Sequence, residues 1–233
     1  MCYSGLFSET GASNEMIKLE ICERKFGKMK SRKMSLPVSN IGMKEWAVAI
    51  KALETGRLTF LLRKGGIREE GREFSLPYRG FLLYPTYEHQ TKELLKKEFR
   101  DSIEMTEPIV NAVNFNSWAH IYGIAKITDW KVAKRLDPFH IWEDDYIVKK
   151  IRWKPLYPLY VIFLRVYRLA NSQCIPYLKA YGGCKSWVLL ETDVSLAGMI
   201  PVLDDESFSE RIEEFSSILG AAGQVIDLNA KGA

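Results

Sequence analysis

The chain has 233 residues, of which 47% are hydrophobic and 27% are charged, and its formal net charge at pH 7 is +4. This composition excludes a chain that is disordered throughout. The sequence has no apolar run of about 18 residues, so it predicts no transmembrane helix. Residues Met1 to Glu20 lack a basic start followed by an apolar stretch, so the sequence predicts no secretory signal and a cytoplasmic location. The same counts favour one domain with a core of its own.

Charge is distributed unevenly along the chain. Residues 1–42 carry seven basic and four acidic residues, residues 43–190 carry 24 and 16, and residues 191–233 carry two and nine. The sequence therefore predicts a basic, poorly ordered N-terminal arm over 1–42, a single domain over 43–190, and an acidic C-terminal tail over 191–233. A basic domain favours a polyanionic partner, usually nucleic acid, and an ordinary lysine-rich surface is the alternative.

The first half of the domain predicts two helices separated by two strands. Apolar residues at helical spacing predict a helix that begins at Met43 and ends before Gly56, which has the character of a C-terminal cap. β-Branched and aromatic residues predict strands over 57–63 and 81–84. A second helix is predicted from about residue 87 to residue 104.

The second half predicts strands and short helices in an irregular order. Residues 117–130 are β-like, and residues 159–169 form the strongest strand pattern, with an apolar run that indicates burial on both faces. Because strands and helices do not alternate regularly, we predict an α+β domain with a mixed, curved or barrel-like sheet and flanking helices. The other predicted elements are short helices over 131–136 and 142–150, a strand over 185–190, and one amphipathic acidic helix over 204–219.

Two cations and two glycines stand together at the end of a predicted strand, as Arg63, Lys64, Gly65 and Gly66. Such a group can offer charge and exposed backbone N–H groups to a phosphate. The spacing matches neither a P-loop nor a dinucleotide-binding fingerprint. We predict phosphate contact here, and a hairpin turn with solvated charges is the alternative.

The segment from Tyr84 to Gln90 is a second candidate. Thr86 is predicted to cap a helix, so that His89 and Gln90 lie in its first turn, where a helix N-terminus favours anions. Gln90 can read a base edge through paired hydrogen bonds, and His89 can act as a general acid or base. A partly buried structural histidine is the commoner interpretation of such a residue.

Tryptophan and basic residues are concentrated in the second half of the chain. Trp142 and Trp187 offer surfaces on which an unstacked base can stack, and Arg165 and Lys185 add charge. The run from Tyr181 to Trp187 combines a turn, backbone donors and an indole, so we predict that it forms the rim of a pocket. Core packing is the alternative for most of the tryptophans.

Catalytic signals are weak, so we assign no catalytic residue, no metal ligand and no cofactor. The triplet from Asp129 to Lys131 matches the acid-x-lysine element of Mg²⁺-dependent nucleases of the restriction type, with Glu104 or Glu107 as a companion acid. Such a nuclease is one alternative function, and a protein-interaction module without catalysis is another. Without zinc-site spacing, free thiols are predicted for the four cysteines, which are Cys2, Cys22, Cys174 and Cys184.

The resemblance of the chain to a known family is carried by the segments 44–49, 61–67, 81–86 with His89 and Gln90, 140–142, 164–167 and 182–187. Together these segments resemble one uncharacterised bacterial family, the domain of unknown function DUF1802. The resemblance covers roughly residues 43–215, and the family has no established activity. Association of some members with restriction-endonuclease-like domains implies DNA handling, restriction-modification or defence.

A helix, Gly56 and a strand that ends at Arg63 are similar to the opening of the ASCH and EVE domains of the PUA-like group, and residues 119–127 and 159–169 resemble their later strands. This resemblance implies a PUA-like barrel that binds RNA or modified DNA bases. We therefore predict a nucleic-acid-binding protein, with DNA favoured and no membrane association, that recognises a modified or flipped base. The predicted contacts are Arg63, Lys64, Gly65, Gly66, His89, Gln90, Trp142, Arg165, Lys185 and Trp187.

Overall fold

The computed structural model describes residues 37–64, 76–103, 106–153, 157–220 and 224–225. The predicted basic arm lies outside the described residues as far as residue 36, and so do Gly65, Gly66, Glu104, Cys2 and Cys22. None of the helices in the described part is long and apolar enough to cross a membrane.

The described residues form eight strands and four α-helices, joined in places by short 3₁₀ turns. The strands are β1 (Val38–Trp46), β2 (Phe60–Lys64), β3 (Gly80–Thr86), β4 (Ala112–Ile127), β5 (Leu159–Pro176), β6 (Trp187–Ser195), β7 (Ile200–Pro201) and β8 (Gln224–Val225). The helices are α1 (Ala47–Glu54), α2 (Trp130–Lys134), α3 (Asp144–Arg152) and α4 (Asp205–Leu219).

One mixed sheet organises the fold, with the strand order β2-β5-β4-β3-β1-β6. β1 and β3 are parallel, and the other neighbours along this path are antiparallel. β7 pairs with β5, and β8 pairs with β4. The predicted α+β class with a mixed sheet and flanking helices is therefore confirmed.

The sheet curls but does not close into a barrel within the described strands. Near the end of β5, the Gln173 side chain donates to the Ser195 carbonyl at 2.7 Å and accepts from the Ser195 N–H at 2.8 Å. Ser195 ends β6, so a side-chain amide joins the ends of β5 and β6 where a strand ladder would be needed for closure. The curvature agrees with the prediction, and a PUA-like barrel stays a prediction.

Because successive side chains of a strand point to opposite faces, the sheet has a hydrophobic core on each face. In β3, Phe81 and Leu83 face the larger core, which also receives the buried faces of the four helices. Leu82 and Tyr84 face a smaller core formed by the ends of β4, β5 and β6. The smaller core lies beneath the cleft described below.

Helix α4 belongs to the larger core. Its apolar side chains Phe208, Ile212, Phe215 and Leu219 are all buried there, and the Asp204 carboxylate accepts from the Ser207 N–H at 2.7 Å to cap the helix. This confirms the predicted amphipathic helix. The predicted domain boundaries fall inside elements, because β1 begins before residue 43 and β6 extends beyond residue 190.

The helix predicted from Met43 is wrong in its first turn. Residues up to Trp46 belong to β1, where Met43 pairs with Leu83 of β3 on one side and with Trp187 of β6 on the other. The helix begins only at Ala47. Pairing on both sides provides partners for the backbone that a local helical pattern cannot reveal.

The helix predicted over 87–104 is also wrong. The segment forms 3₁₀ turns over Lys92–Leu94 and Lys97–Ile103 instead. Its backbone bonds to a distant segment, since Glu143 N–H donates to the Leu94 carbonyl at 3.0 Å and Lys96 N–H donates to the Ile141 carbonyl at 2.9 Å. A left-handed φ of 66° at His89 also interrupts any helix at its start.

Candidate functional site

Arg63 does not face solvent as a free phosphate contact. It forms an ion pair at 2.9 Å with Glu45, and the same guanidinium donates to the Lys44 carbonyl at 2.8 Å. Both side chains are largely buried between β1 and β2. The Arg63 charge is therefore neutralised inside the fold, and the prediction that Arg63 leads a phosphate site is not supported by this arrangement.

Lys64 is more deeply buried, with 6% of the residue exposed. Its ammonium donates at 2.6 Å to the Ile151 carbonyl, close to the C-terminal end of α3, where a cation complements the helix dipole. Burial lowers the pKa of Lys64. Lys64 thus stabilises α3, while the adjoining Gly65 and Gly66 lie outside the described residues.

His89 and Gln90 lie in a turn that follows β3, and they serve different purposes. His89 is exposed and holds the left-handed backbone of the turn. The Gln90 side-chain oxygen accepts from the Val48 N–H at 3.0 Å, which satisfies a donor at the start of α1. Gln90 is therefore a cap supplied from a distant segment and is not positioned as a base reader.

Trp142 and Arg165 are buried. Trp142 is part of the larger core and stacks on Tyr146, with ring centroids 5.6 Å apart. Arg165 donates to the Asp204 carbonyl and to the Asp205 carboxylate, and its guanidinium lies 4.5 Å from the centre of the Phe208 ring. Arg165 thus anchors the start of α4 to β5, and the structure does not place it beside a base.

Trp187 and Lys185 lie in the predicted pocket rim, but they do not line one pocket with the other predicted residues. Trp187 is half-buried and makes edge contacts with Phe81 and Tyr78 at 5.2 and 5.4 Å between ring centroids. Lys185 is exposed, and its ammonium donates to the Ala180 carbonyl. The predicted contacts are therefore dispersed over several parts of the molecule.

A cleft of about 310 Å³ does exist where two predicted segments meet. Residues 84–88, at the end of β3, form one wall, and Gly182 and Gly183 form part of the rim. The third side comes from residues 108, 109 and 111–114, before and at the start of β4, together with Tyr177. A cleft of this volume lies at the lower end of the range for small-molecule sites. We call it the Lys44 cleft.

Lys44 is the cation of the cleft. Its ammonium donates to the Gly183 carbonyl at 3.1 Å and lies 5.5 Å from the centre of the Tyr84 ring. Burial lowers the pKa of Lys44, and nearby Lys185 adds to the shift, while Glu88 and Cys184 oppose it. A partly desolvated ammonium over an aromatic ring can bind an anionic or a hydrogen-bond-accepting ligand group.

Tyrosines supply the aromatic surface of the cleft. Tyr84, Tyr87 and Tyr177 line it, and Tyr181 lies behind Tyr84 at 6.5 Å between ring centroids. Burial raises the pKa of Tyr84, and Tyr177, Tyr181 and Tyr87 add to this shift. The Tyr84 hydroxyl therefore stays protonated at neutral pH.

Glycines allow the rim to approach Tyr177 closely. A Cβ on Gly182 would lie 2.9 Å from the Tyr177 hydroxyl oxygen and 3.1 Å from the Lys179 carbonyl oxygen. Gly183 has a φ of 81°, which favours glycine, and its carbonyl is thereby turned toward Lys44. The close contacts at Gly182 and the left-handed backbone at Gly183 therefore explain why glycines occupy this part of the predicted rim.

Side-chain amides complete the lining. Asn111 and Asn114 lie at the start of β4, and the Asn111 carbonyl accepts from the Tyr177 N–H at 2.9 Å. The Asn114 amide nitrogen donates to Asn116 Oδ1 at 3.2 Å, and its amide oxygen accepts from the Ser172 hydroxyl at 2.6 Å, so these two contacts orient the side chain. Aromatic rings, amides and one cation are the groups that recognise a planar polar ligand such as a nucleobase. No local pattern in the sequence indicates Asn111, Asn114 or Tyr177 as site residues.

The nuclease element is not assembled around a metal site in the described residues. The Asp129 carboxylate accepts from the Lys131 N–H at 2.9 Å and so caps α2. Glu107 is exposed in the loop before β4. In the described part of the chain, no three His, Cys, Asp or Glu side chains are grouped closely enough to hold a metal ion. Cys174 and Cys184 are exposed free thiols, as predicted.

The fold and the cleft define an α+β protein with a curled mixed sheet and one tyrosine-lined cleft that contains a lysine. Residues 42–214 match the family described as Domain of unknown function (DUF1802), and the chain belongs to this family. No curated protein and no solved structure matches the chain. The resemblance to DUF1802 is thus confirmed, and the resemblance to the PUA-like group stays a prediction.

Proposed function

We propose that this protein binds nucleic acid and that the Lys44 cleft receives one unstacked base. The observation that carries the proposal is the lining of the cleft, in which three tyrosines, two asparagines, Lys44 and Glu88 lie around a space of about 310 Å³. Aromatic rings stack on the face of a base, amides bond to its edge, and a cation meets the phosphate or a base carbonyl. The basic charge of residues 43–190 supports the same partner.

A base inside a duplex cannot reach such a cleft without leaving the stack. The proposed ligand is therefore a single-stranded segment or a flipped base, which includes a modified one. DNA is the favoured nucleic acid, in the cytoplasm and in a restriction or defence setting. The nuclease and interaction-module alternatives stay predictions, and no contact in the described residues favours either of them.

Binding to labelled oligonucleotides at several salt concentrations tests the proposal. We expect single-stranded DNA or RNA to bind more tightly than duplex, with an affinity that falls as salt rises. Tyr177→Ala removes a stacking surface and should weaken binding at least about fivefold. Lys44→Ala should weaken binding and reduce the salt dependence.

Lys97→Ala is the matched control, because Lys97 is exposed on a 3₁₀ turn and does not line the cleft. It should leave the affinity of the cleft for a short oligonucleotide unchanged. A wild-type protein that binds no oligonucleotide at low salt would refute the proposal. Equal affinity of wild-type, Tyr177→Ala and Lys44→Ala proteins would show that the cleft is not the site.

A further inference from the structure

Helices α2 and α3 present a second surface with an unusual composition. The chain has six tryptophans, and the two that are exposed, Trp130 at 44% and Trp153 at 51%, flank these helices. Lys131 and Arg135 of the α2 segment and Lys149 and Arg152 of α3 are also exposed. α2 packs against α3, so these side chains share one region. We call it the α2–α3 surface.

The inward faces of the two helices explain why the cations point outward. Val132 and Ala133 of α2 and Ile147 and Ile151 of α3 are buried in the larger core. The opposite faces therefore carry the charges. Cations near the C-terminal end of α3 also suit its dipole, but this does not account for the basic residues of α2 or for two exposed indoles.

The acidic neighbours of this surface are already engaged. The Asp129 carboxylate caps α2, Asp137 pairs with Lys96 at 3.1 Å, and Glu143 pairs with Arg100 at 3.0 Å. Among the side chains that the structure describes, no ion pair involves Lys131, Arg135 or Arg152. The surface thus keeps a local excess of positive charge.

We propose that the α2–α3 surface binds the backbone of single-stranded nucleic acid, with a base stacked on Trp130. Cations alternating with exposed aromatic rings fit a partner that has both phosphates and unstacked bases. An anionic membrane fits less well, because the apolar faces of both helices are already buried in the core and cannot enter a lipid surface. This inference rests on the proposed nucleic-acid binding but not on the Lys44 cleft.

The strand β4 separates the two sites. It starts in the cleft wall at Ala112 and ends at Ile127, three residues before α2. Its 16 residues span at most about 50 Å. At about 3.4 Å per nucleotide, a strand of roughly 15 nucleotides is the longest needed to contact both sites. A 20-nucleotide oligomer should therefore report on both sites.

The experiment compares two kinds of variant against oligo-dT of 20 nucleotides. Lys131→Gln combined with Lys149→Gln removes two charges, and the slope of log affinity against log salt should decrease by about 1.4. Trp130→Ala should weaken binding at least about fivefold. Both substitutions are on exposed side chains, and melting temperatures confirm folding. Lys51→Gln combined with Lys97→Gln is the charge-matched control, because both lysines are exposed outside α2 and α3.

Each outcome has a distinct meaning. If the α2–α3 variants match the control in slope and affinity while Tyr177→Ala loses binding, this inference is wrong and the cleft proposal stands. If no oligonucleotide binds the wild-type protein, both proposals fail. If vesicles with anionic lipid bind through Trp130 while oligonucleotides do not, the surface is a membrane site and the inference is overturned.

Discussion

We predict that the protein loses stability in mild acid because of the buried residue His140, and the surroundings of His140 set the size of the loss. The residue is only 4% exposed, and its Nε2 lies 3.6 Å from the Asp137 carboxylate. Burial lowers the pKa of His140 from 6.5 to about 4; Lys96 adds to the shift, and Asp137 opposes it. The folded protein therefore holds His140 neutral, whereas the unfolded chain binds a proton near pH 6.5.

Because the pKa of His140 is lower in the folded protein than in the unfolded chain, the unfolded chain takes up the proton first as the pH falls. The free energy of unfolding therefore has its full value above pH 6.5 and decreases as the pH falls toward 4. The difference between a pKa of 6.5 and one of about 4 corresponds to about 3 kcal/mol in the free energy of unfolding. We expect the free energy of unfolding to fall by up to this amount between pH 7.5 and pH 4 because of His140 alone.

Urea denaturation across this pH range, on wild-type and His140→Asn proteins, measures the effect. The variant removes the titrating group, so the wild-type advantage should shrink by up to about 3 kcal/mol as the pH falls. His89→Asn is the control, because His89 is exposed and asparagine tolerates its left-handed backbone. A stability difference between wild-type and His140→Asn proteins that is constant with pH would refute the reasoning.

Three further predictions concern stability. Burial raises the pKa of Glu54, so ionisation of Glu54 costs stability as the pH rises past its unfolded value near 4.5. The Glu54→Gln protein should therefore be more stable than wild type at pH 7 in urea titrations, and a less stable variant would contradict this. A Cβ on Gly80 would lie 2.3 Å from Cζ2 of Trp118, so Gly80→Ala should lose about 1–3 kcal/mol, whereas Gly123→Ala, with nothing within 4 Å, should change little; equal calorimetric melting temperatures would count against the packing. Phe215→Ala should cost about 3–5 kcal/mol because Phe215 packs on Phe60 in the larger core, and a loss under about 1 kcal/mol would show that α4 is peripheral.

The strong strands and the last helix could be predicted because their signals are local. Residues 159–169 have an apolar run broken only by Arg165 and Arg168, and β5 does begin at Leu159, pairing with β2 on one side and β4 on the other. A glycine inside a strand pattern is a local sign of a bulge, and the β4–β5 register shifts between Ile121 and Gly123. The acidic helix has both its cap and its apolar stripe within its own sequence.

Two helices were misplaced because their outcome depends on distant partners. Residues Met43 to Trp46 share helical spacing with α1, yet β3 pairs with all four of them and β6 pairs with Met43 on the other side. Leu95 fits a helical stripe, but it forms a bridge with Trp142 that no pattern within residues 87–104 reveals. In both cases tertiary hydrogen bonds override local propensity.

The sequence indicates two segments of the candidate cleft better than it indicates individual residues. Residues 84–88 and 182–183 meet in the Lys44 cleft, because turn residues and glycines mark strand ends that the sheet brings together. Arg63, Lys64 and Arg165 were selected for their charge, but Glu45, the Ile151 carbonyl and Asp205 bind them inside the fold. A sequence shows which residues are charged, and only the fold shows which charges are already paired.

Photo-crosslinking tests the central claim most directly. A single-stranded oligonucleotide with a photoreactive pyrimidine is irradiated with the full chain, and the crosslinked peptides are identified by mass spectrometry. The proposed function predicts adducts on Tyr87 or Tyr177 of the Lys44 cleft, lost in the presence of excess unlabelled oligonucleotide. Competable adducts confined to other parts of the molecule, or no competable adduct at all, would contradict it.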